Sequence, residues 1–273
     1  GEPCSTASPQ RGDGRGGRGR PSFAVGGGQR MHRFFVAEDP AQGRYFLGGG
    51  EGRHGARVLR LRQGEEVTLC NGRGMDFPSV VEGAEDGGLW LSVGAGVPCL
   101  AEPRTKVTVC QCMPKGDKLD AVVQKSVELG AQAVWLVEGA RCVARPDPRQ
   151  VGKRVARLQR IALEAAKQSG RGAVPQIGPP QPLGQALEAA AQQGSILFFY
   201  EKGRHSLRQA LQSASGELFL FIGPEGGFAP EEAALAQSLG ALPLTLGRRI
   251  LRTETAPLAA LAAIFYERGD MEL

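Results

Sequence analysis

Residues 1–30 show no apolar period; Gly, Arg, Ser and Pro dominate them, and organised pattern begins abruptly at Met31-His32-Arg33-Phe34-Phe35-Val36. A stretch of this composition offers too little apolar surface to offset the entropy lost on ordering, so it is expected to be disordered. Three origins stay open for it: an Arg-rich RNA-binding tail, a transit peptide, or an upstream extension of a reading frame that naturally starts at Met31. The abrupt change at Met31 favours the third.

From Met31 to about Pro98 the apolar residues come in short runs between glycine turns. Arg57-Val58-Leu59-Arg60-Leu61-Arg62 alternates apolar and basic positions, as a half-buried strand does. Gln63-Gly64 marks a turn. Glu66–Cys70 reads as a second strand and runs into Asn71-Gly72, a pair suited to the positive φ angles of a hairpin. Phe77–Val81 and Leu89–Val93 add further strands. This spacing predicts a small barrel or sandwich.

After Pro103 the period changes. Lys106–Cys112 reads as a buried-type strand, and Leu119, Val122, Val123, Ser126 and Val127 then share one helical face, with Gly130 placed to end the helix. Ala133–Val137 is the next strand, and Pro148–Ser169 is a long basic amphipathic helix stopped by Gly170. Strands at Ile196–Tyr200, Leu218–Ile222 and Leu242–Leu246 alternate with helices at Leu183–Gln192, Leu207–Ser213 and Pro230–Leu239. A last helix spans about Glu254–Glu267. Such alternation predicts an α/β domain with a mostly parallel sheet. The chain therefore divides into a 1–30 extension, a 31–100 β domain and a 104–273 α/β domain.

Composition changes this picture little. Of 273 residues, 41% are hydrophobic and 22% charged, as in a globular protein. No apolar run is long enough for a membrane span. The net charge of +5 shrinks once residues 1–30 are set aside, because 28 basic then face 26 acidic residues. Any nucleic-acid site must therefore be a local basic patch. The six cysteines are scattered, and Cys110 and Cys112 lack the partners of a zinc site. They read as reduced cytosolic thiols, placing the chain in the cytoplasm. His32, His54 and His205 are too dispersed for a metal, so none is expected.

The candidate chemistry lies in two loops. Leu218–Ile222 runs into Gly223-Pro224-Glu225-Gly226-Gly227-Phe228, and Leu244-Thr245-Leu246 into Gly247-Arg248-Arg249-Ile250-Leu251-Arg252-Thr253-Glu254-Thr255. Ligands of open α/β sheets bind beyond the carboxyl ends of the strands, and glycines there admit positive φ and close backbone approach. One such loop could simply turn the chain; two after neighbouring strands point to a ligand. No Walker Lys-Ser/Thr follows the first loop, and no G-x-G-x-x-G follows a first strand, so phosphate-loop and Rossmann sites are unsupported. A nucleoside held by backbone groups and an apolar pocket remains.

These loops resemble the signature loops of the RsmE family in the SPOUT superfamily. Lys115-Gly116-Asp117-Lys118, Gln124-Lys125-x-x-Glu128-Leu129-Gly130, Gln168-Ser169-x-Arg171-x-x-x-Pro175 and the segments at His32–Val36 and Arg57–Gly64 agree with it, over about residues 31–267. Two positions depart: Lys167 and Cys142 stand where the family usually has an acid and a serine. The resemblance implies a trefoil-knotted, mostly parallel sheet with a PUA-like β-barrel before it. It also implies a homodimer that transfers a methyl group from S-adenosylmethionine (SAM) to N3 of a uridine in small-subunit (16S) rRNA. It carries a cofactor site over to Ile222, Gly223, Pro224, Glu225, Gly226, Gly227, Leu246, Gly247, Ile250, Leu251, Arg252, Thr255 and Ala256. RNA contact is expected at Arg33, Arg60, Lys118, Lys125, Gln168 and Arg171.

Transfer to N3 requires loss of its proton, so the site must offer a base or stabilise a uracil anion. Arg252 suits the anion, and Glu254 suits the proton. Their structural alternatives are a contact within the knot and a carboxylate favoured by a helix N-terminus. Two other functions stay open on the residues: a catalytically silent ribosome-associated RNA-binding protein, and a SPOUT enzyme acting on tRNA or the large subunit.

Overall fold

The short apolar runs of the first third pair into one mixed sheet. The computed structural model describes residues 31–143 and 147–272; residues 1–30, expected to be disordered, lie outside it. Strands β1 (His32–Phe35), β2 (Gly43–Leu47), β3 (Glu66–Cys70), β4 (Met75–Glu85), β5 (Gly88–Val93) and β6 (Val97–Pro98) are ordered β1-β3-β4-β5-β2, with β6 on β4. β1 lies parallel to β3 and the other pairs are antiparallel. The turn after β3 has Gly72 and Gly74 at φ +71 and +93, as the Asn-Gly signal requires. Phe34, Val67, Leu69, Leu89 and Leu91 form the core of this sheet. Its edge strands β1 and β2 do not pair with each other, so the sheet is open rather than a closed barrel.

One strand expectation fails. Arg57–Arg62 is not a strand: α1 (Gly49–Arg53) runs into a π-helical turn at His54–Val58, and Arg60 leaves it at φ +54. Two glycines explain why. A Cβ on Gly52 would lie 1.9 Å from the Leu47 carbonyl oxygen, and one on Gly55 would lie 2.6 Å from Leu89. Their lack of side chains lets the helical segment rest directly on β2 and β5, and this packing outweighs the local alternation.

The second sheet contains β7 (Val107–Cys112), β8 (Ala133–Glu138), β9 (Gln176–Ile177), β10 (Gln181–Pro182), β11 (Gly194–Phe199), β12 (His205–Ser206), β13 (Glu217–Ile222) and β14 (Leu242–Thr245). The order is β10-β8-β7-β13-β11-β14-β12, with β9 on β8, and every pair is parallel. Helices α2 (Lys118–Leu129), α3 (Pro148–Ser169), α4 (Leu183–Ala191), α5 (Leu207–Ser213), α6 (Pro230–Ser238) and α7 (Ala256–Glu267) connect or cover these strands. Capping fixes several ends. The Asp147 carboxylate accepts from the Arg149 amide ahead of Pro148, and Gly130 and Gly170 end α2 and α3 at φ 110 and 76.

The segment that follows α3 ties the small sheet to the large one: the Gly74 amide donates to the Gly172 carbonyl at 3.1 Å and the Val174 amide to the Gly72 carbonyl at 3.0 Å. Arg171, 3% exposed, donates to Glu102 at 2.7 Å and to the Val127 and Ala131 carbonyls at 2.9 and 2.7 Å. Lys167 of α3 pairs with Glu51 of α1 at 2.5 Å.

Candidate active site

β13 and β14 are not neighbours, contrary to the sequence expectation: β11 lies between them. Three adjacent strands therefore end at one place, and beyond them opens a cleft of about 570 Å³, within the usual range for a small-molecule site. The cleft is lined by Ile222 at the end of β13 and Gly223, Pro224, Glu225 and Gly227 after it, and by Leu246, Gly247, Ile250, Leu251, Arg252 and Ala256 after β14. Gly226 and Thr255, also expected here, do not line it. The Gly226 carbonyl turns outward to accept from Arg141 at 2.9 Å, and the Thr255 amide is used to start α7 by donating to the Arg252 carbonyl. Phe199, Tyr200 and Glu201 at the end of β11 complete the wall. The sequence placed a strand there, but strand order, which makes it part of the site, is not encoded locally.

The loops are held by specific bonds. Gly227 at φ +65 closes a turn by donating to the Pro224 carbonyl, and Phe228 stacks on Phe198 with ring centroids 4.2 Å apart. Gly247 sits at φ +103, where any other residue would be strained. The Thr253 hydroxyl donates to the Gly223 carbonyl at 2.7 Å and accepts from the buried Gln111 amide at 2.9 Å. Gln111 belongs to β7. The loop after β14 thus reaches back past β11 and β13 to be fastened at β7.

Charge gathers at one rim. Lys118 Nζ lies 3.0 Å from Glu225 and 3.4 Å from Glu254. Donating a hydrogen bond to Glu225 raises the Lys118 pKa above the usual lysine range. Partial burial pushes the Glu225 carboxyl up, but its own backbone amide, Lys118 and the Lys115 amide outweigh that and hold it below the usual range. Glu254 itself does not line the cleft, whereas Arg252, exposed, does. On the far side of the first loop the Cys142 thiol is lowered to about 7, chiefly by its hydrogen bond with Cys112, while Cys112 is pushed well up.

The expected RNA contacts separate. Arg60, Lys125 and Gln168 are exposed, with Lys125 paired to Glu128 at 2.8 Å. Lys118 belongs to the cleft rim. Arg171 and Arg33 are corrected. Arg171 is consumed by Glu102 and two carbonyls as described, and Arg33, its side chain 15% exposed, is held 2.5 Å from Asp76. Neither guanidinium is free to meet a phosphate. Among the described residues no group of three or more His, Cys, Asp or Glu could hold a metal ion, and no helix is long and apolar enough to cross a membrane.

A parallel sheet with a glycine-lined cleft past three strand ends, preceded by a small β sheet, defines a class here, and comparison with known proteins agrees. The family model described as RNA methyltransferase domain matches residues 101–265, and that described as RNA methyltransferase PUA domain matches residues 47–93. Ribosomal RNA small subunit methyltransferase E of Mycobacterium bovis is 35% identical over 222 residues, covering 79% of this chain and 84% of that protein. The Bacillus subtilis protein of the same name is 31% identical over 255 residues, covering 88% of this chain and all of its own. The crystal structure of the Neisseria gonorrhoeae protein of that name, bound to S-adenosyl methionine, superposes with a TM-score of 0.77 at 33% identity, covering 87% of this chain and 98% of its own. The chain belongs to the ribosomal RNA small subunit methyltransferase E (RsmE) family.

Proposed function

We propose that this chain methylates N3 of a uridine in 16S rRNA of the small ribosomal subunit, using SAM held in the glycine-lined cleft. The observation that carries the reading is the cleft itself: two glycine loops brought together past β13, β11 and β14, with Arg252 in the wall. Its residues fit the cofactor. Ile222, Leu244, Leu246 and Leu251 offer an apolar slot for adenine, and Glu201 and Glu225 bring negative charge suited to a sulfonium. Among the described residues, the backbone amides of Arg248, Arg249, Ile250 and Leu251 have no protein acceptor, leaving them for a bound nucleoside. Gly226 and Thr255 support the loops from behind.

SAM supplies an electrophilic methyl group. The protein must remove the N3 proton and stabilise the charge left on the uracil. Arg252, exposed at the cleft wall, is assigned the anion. Glu254, two residues on and just outside the cleft lining, is assigned the proton, held in place by Lys118, which also binds Glu225.

The knot is part of this proposal, supported by the return of the 247–255 loop from β14 to Gln111 of β7. The domain division, a PUA-like RNA-binding unit at 31–100 and a SPOUT unit at 104–273, is supported by two separate cores and the matches at 47–93 and 101–265. A homodimer is supported by apolar side chains left in water beside the cleft and on α7, with Ile250 93% and Tyr266 73% exposed.

Arg252→Ala and Glu254→Gln test the assignment together with SAM calorimetry. Both variants are expected to bind SAM within a fewfold of the native chain and to lose turnover by at least about 100-fold, the scale of a lost transition-state contact. Near-native turnover of either removes that residue from the mechanism, and no SAM binding by the native chain overturns the reading.

A further inference from the structure

We infer that an exposed basic stripe on α3, formed by Arg149, Lys153, Arg157 and Arg160, docks the phosphate backbone of the RNA substrate. This rests on the RNA-methyltransferase reading and adds a surface to it. The stripe follows from spacing: successive steps of four, four and three residues put all four on one helix face. All four are exposed, while Leu158, Ala162, Ala165 and Ala166 bury the opposite face.

The charge of the folded part is concentrated here. α3 carries six basic residues and one acid, Glu164, whereas the rest of residues 31–273 carries 22 basic and 25 acidic residues. Without this helix the folded part is net negative, a poor surface for a polyanion.

Helix physics does not account for the stripe. Arg149, Lys153 and Arg157 repel one another at i,i+4 spacing. Arg149 also sits in the first turn, at the positive end of the helix dipole, where acids are favoured and α3 has none. Neutralisation from elsewhere is slight. Arg157 pairs with Asp120, and among the described residues no carboxylate lies within ion-pair distance of Arg149, Lys153 or Arg160. A stripe that costs the helix stability and stays unneutralised suits an external polyanion.

Its position fits RNA bound for the cleft. Asp120, which anchors Arg157, is two residues from the cleft-lining Lys118, while the far end of α3 is fastened to the small sheet through Lys167 and Glu51. Arg149 to Arg160 spans roughly 16 Å of helix, room for several phosphates of one strand.

The test uses the full chain with Arg149→Gln, Lys153→Gln and Arg160→Gln combined, and a second triple variant, Arg149→Lys, Lys153→Arg and Arg160→Lys, that keeps the charge. Binding to single-stranded RNA, one probe from small-subunit rRNA and one unrelated, is measured against salt. The glutamine variant should flatten the slope of log Kd against log salt by about 2, as three lost phosphate contacts require. It should bind both probes at least about tenfold more weakly at low salt, with native SAM affinity, while the charge-keeping variant stays near native. An unchanged slope overturns the inference. So does stripe-dependent binding to phosphatidylserine vesicles without an effect on RNA. The readout needs no methyl transfer, so an error in the target base would leave it standing, and an unchanged slope would leave the methylation reading untouched.

Discussion

At the scale of single residues, the guanidinium groups of this chain differ by what surrounds them. Arg171 sits beside the junction of the two sheets with almost no exposed surface to offer, and Glu102 spends its carboxylate on that guanidinium and on the Gly172 and Ala173 amides. Removing one member of such a pair leaves the other buried and unpaired, at about 3–5 kcal/mol. Arg171→Ala is therefore expected to lose about that much stability in a urea titration, with the RNA affinity of the folded fraction unchanged. A near-native midpoint with weakened RNA binding would return Arg171 to the RNA surface. The motif around Gln168 and Arg171 was visible in the sequence, but a surface arginine and a buried one look alike there; burial depends on Glu102, far off in sequence.

At the scale of elements, the ends of α3 and α5 were legible because capping is local. Asp147-Pro148 and Gly170 bound α3, and Ser206 with Gln209 forms a reciprocal cap on α5. β9, β10 and β12 were not legible, since two residues carry no period. The Arg57–Arg62 alternation misled because the glycines at 52 and 55 allow a closer packing than a strand would give. The glycine loops were legible as loops at strand ends, where the cleft opens, yet the part played by Phe199–Glu201 was hidden until strand order placed β11 between them. What locks these loops is Thr253, bridging Gly223 and Gln111. Thr253→Val keeps the shape and removes both bonds. With roughly 0.5–1.5 kcal/mol for each bond, SAM binding should weaken about fivefold to tenfold or more. Unchanged affinity would mean the loops hold their form without this latch.

At the scale of the whole molecule, the two sheets have separate cores but share polar ties, the Gly72–Gly74 turn with Gly172 and Val174, and Glu51 with Lys167. The small sheet is thereby held against the domain that carries the cleft. Charge is partitioned on the same scale: α3 is strongly basic, the remainder of the folded part mildly acidic, and apolar side chains stay exposed near the cleft and on α7. By the proposed function and the basic stripe, the RNA backbone is thus assigned to α3 and the cofactor to the cleft, whose Ile250 also faces the proposed second subunit. The measurement that tests this account most directly is to incubate the chain with SAM and small subunits lacking the modification, then locate the added methyl group. The account predicts N3-methyluridine in 16S rRNA; a methyl group on another atom, or on another RNA alone, would contradict it.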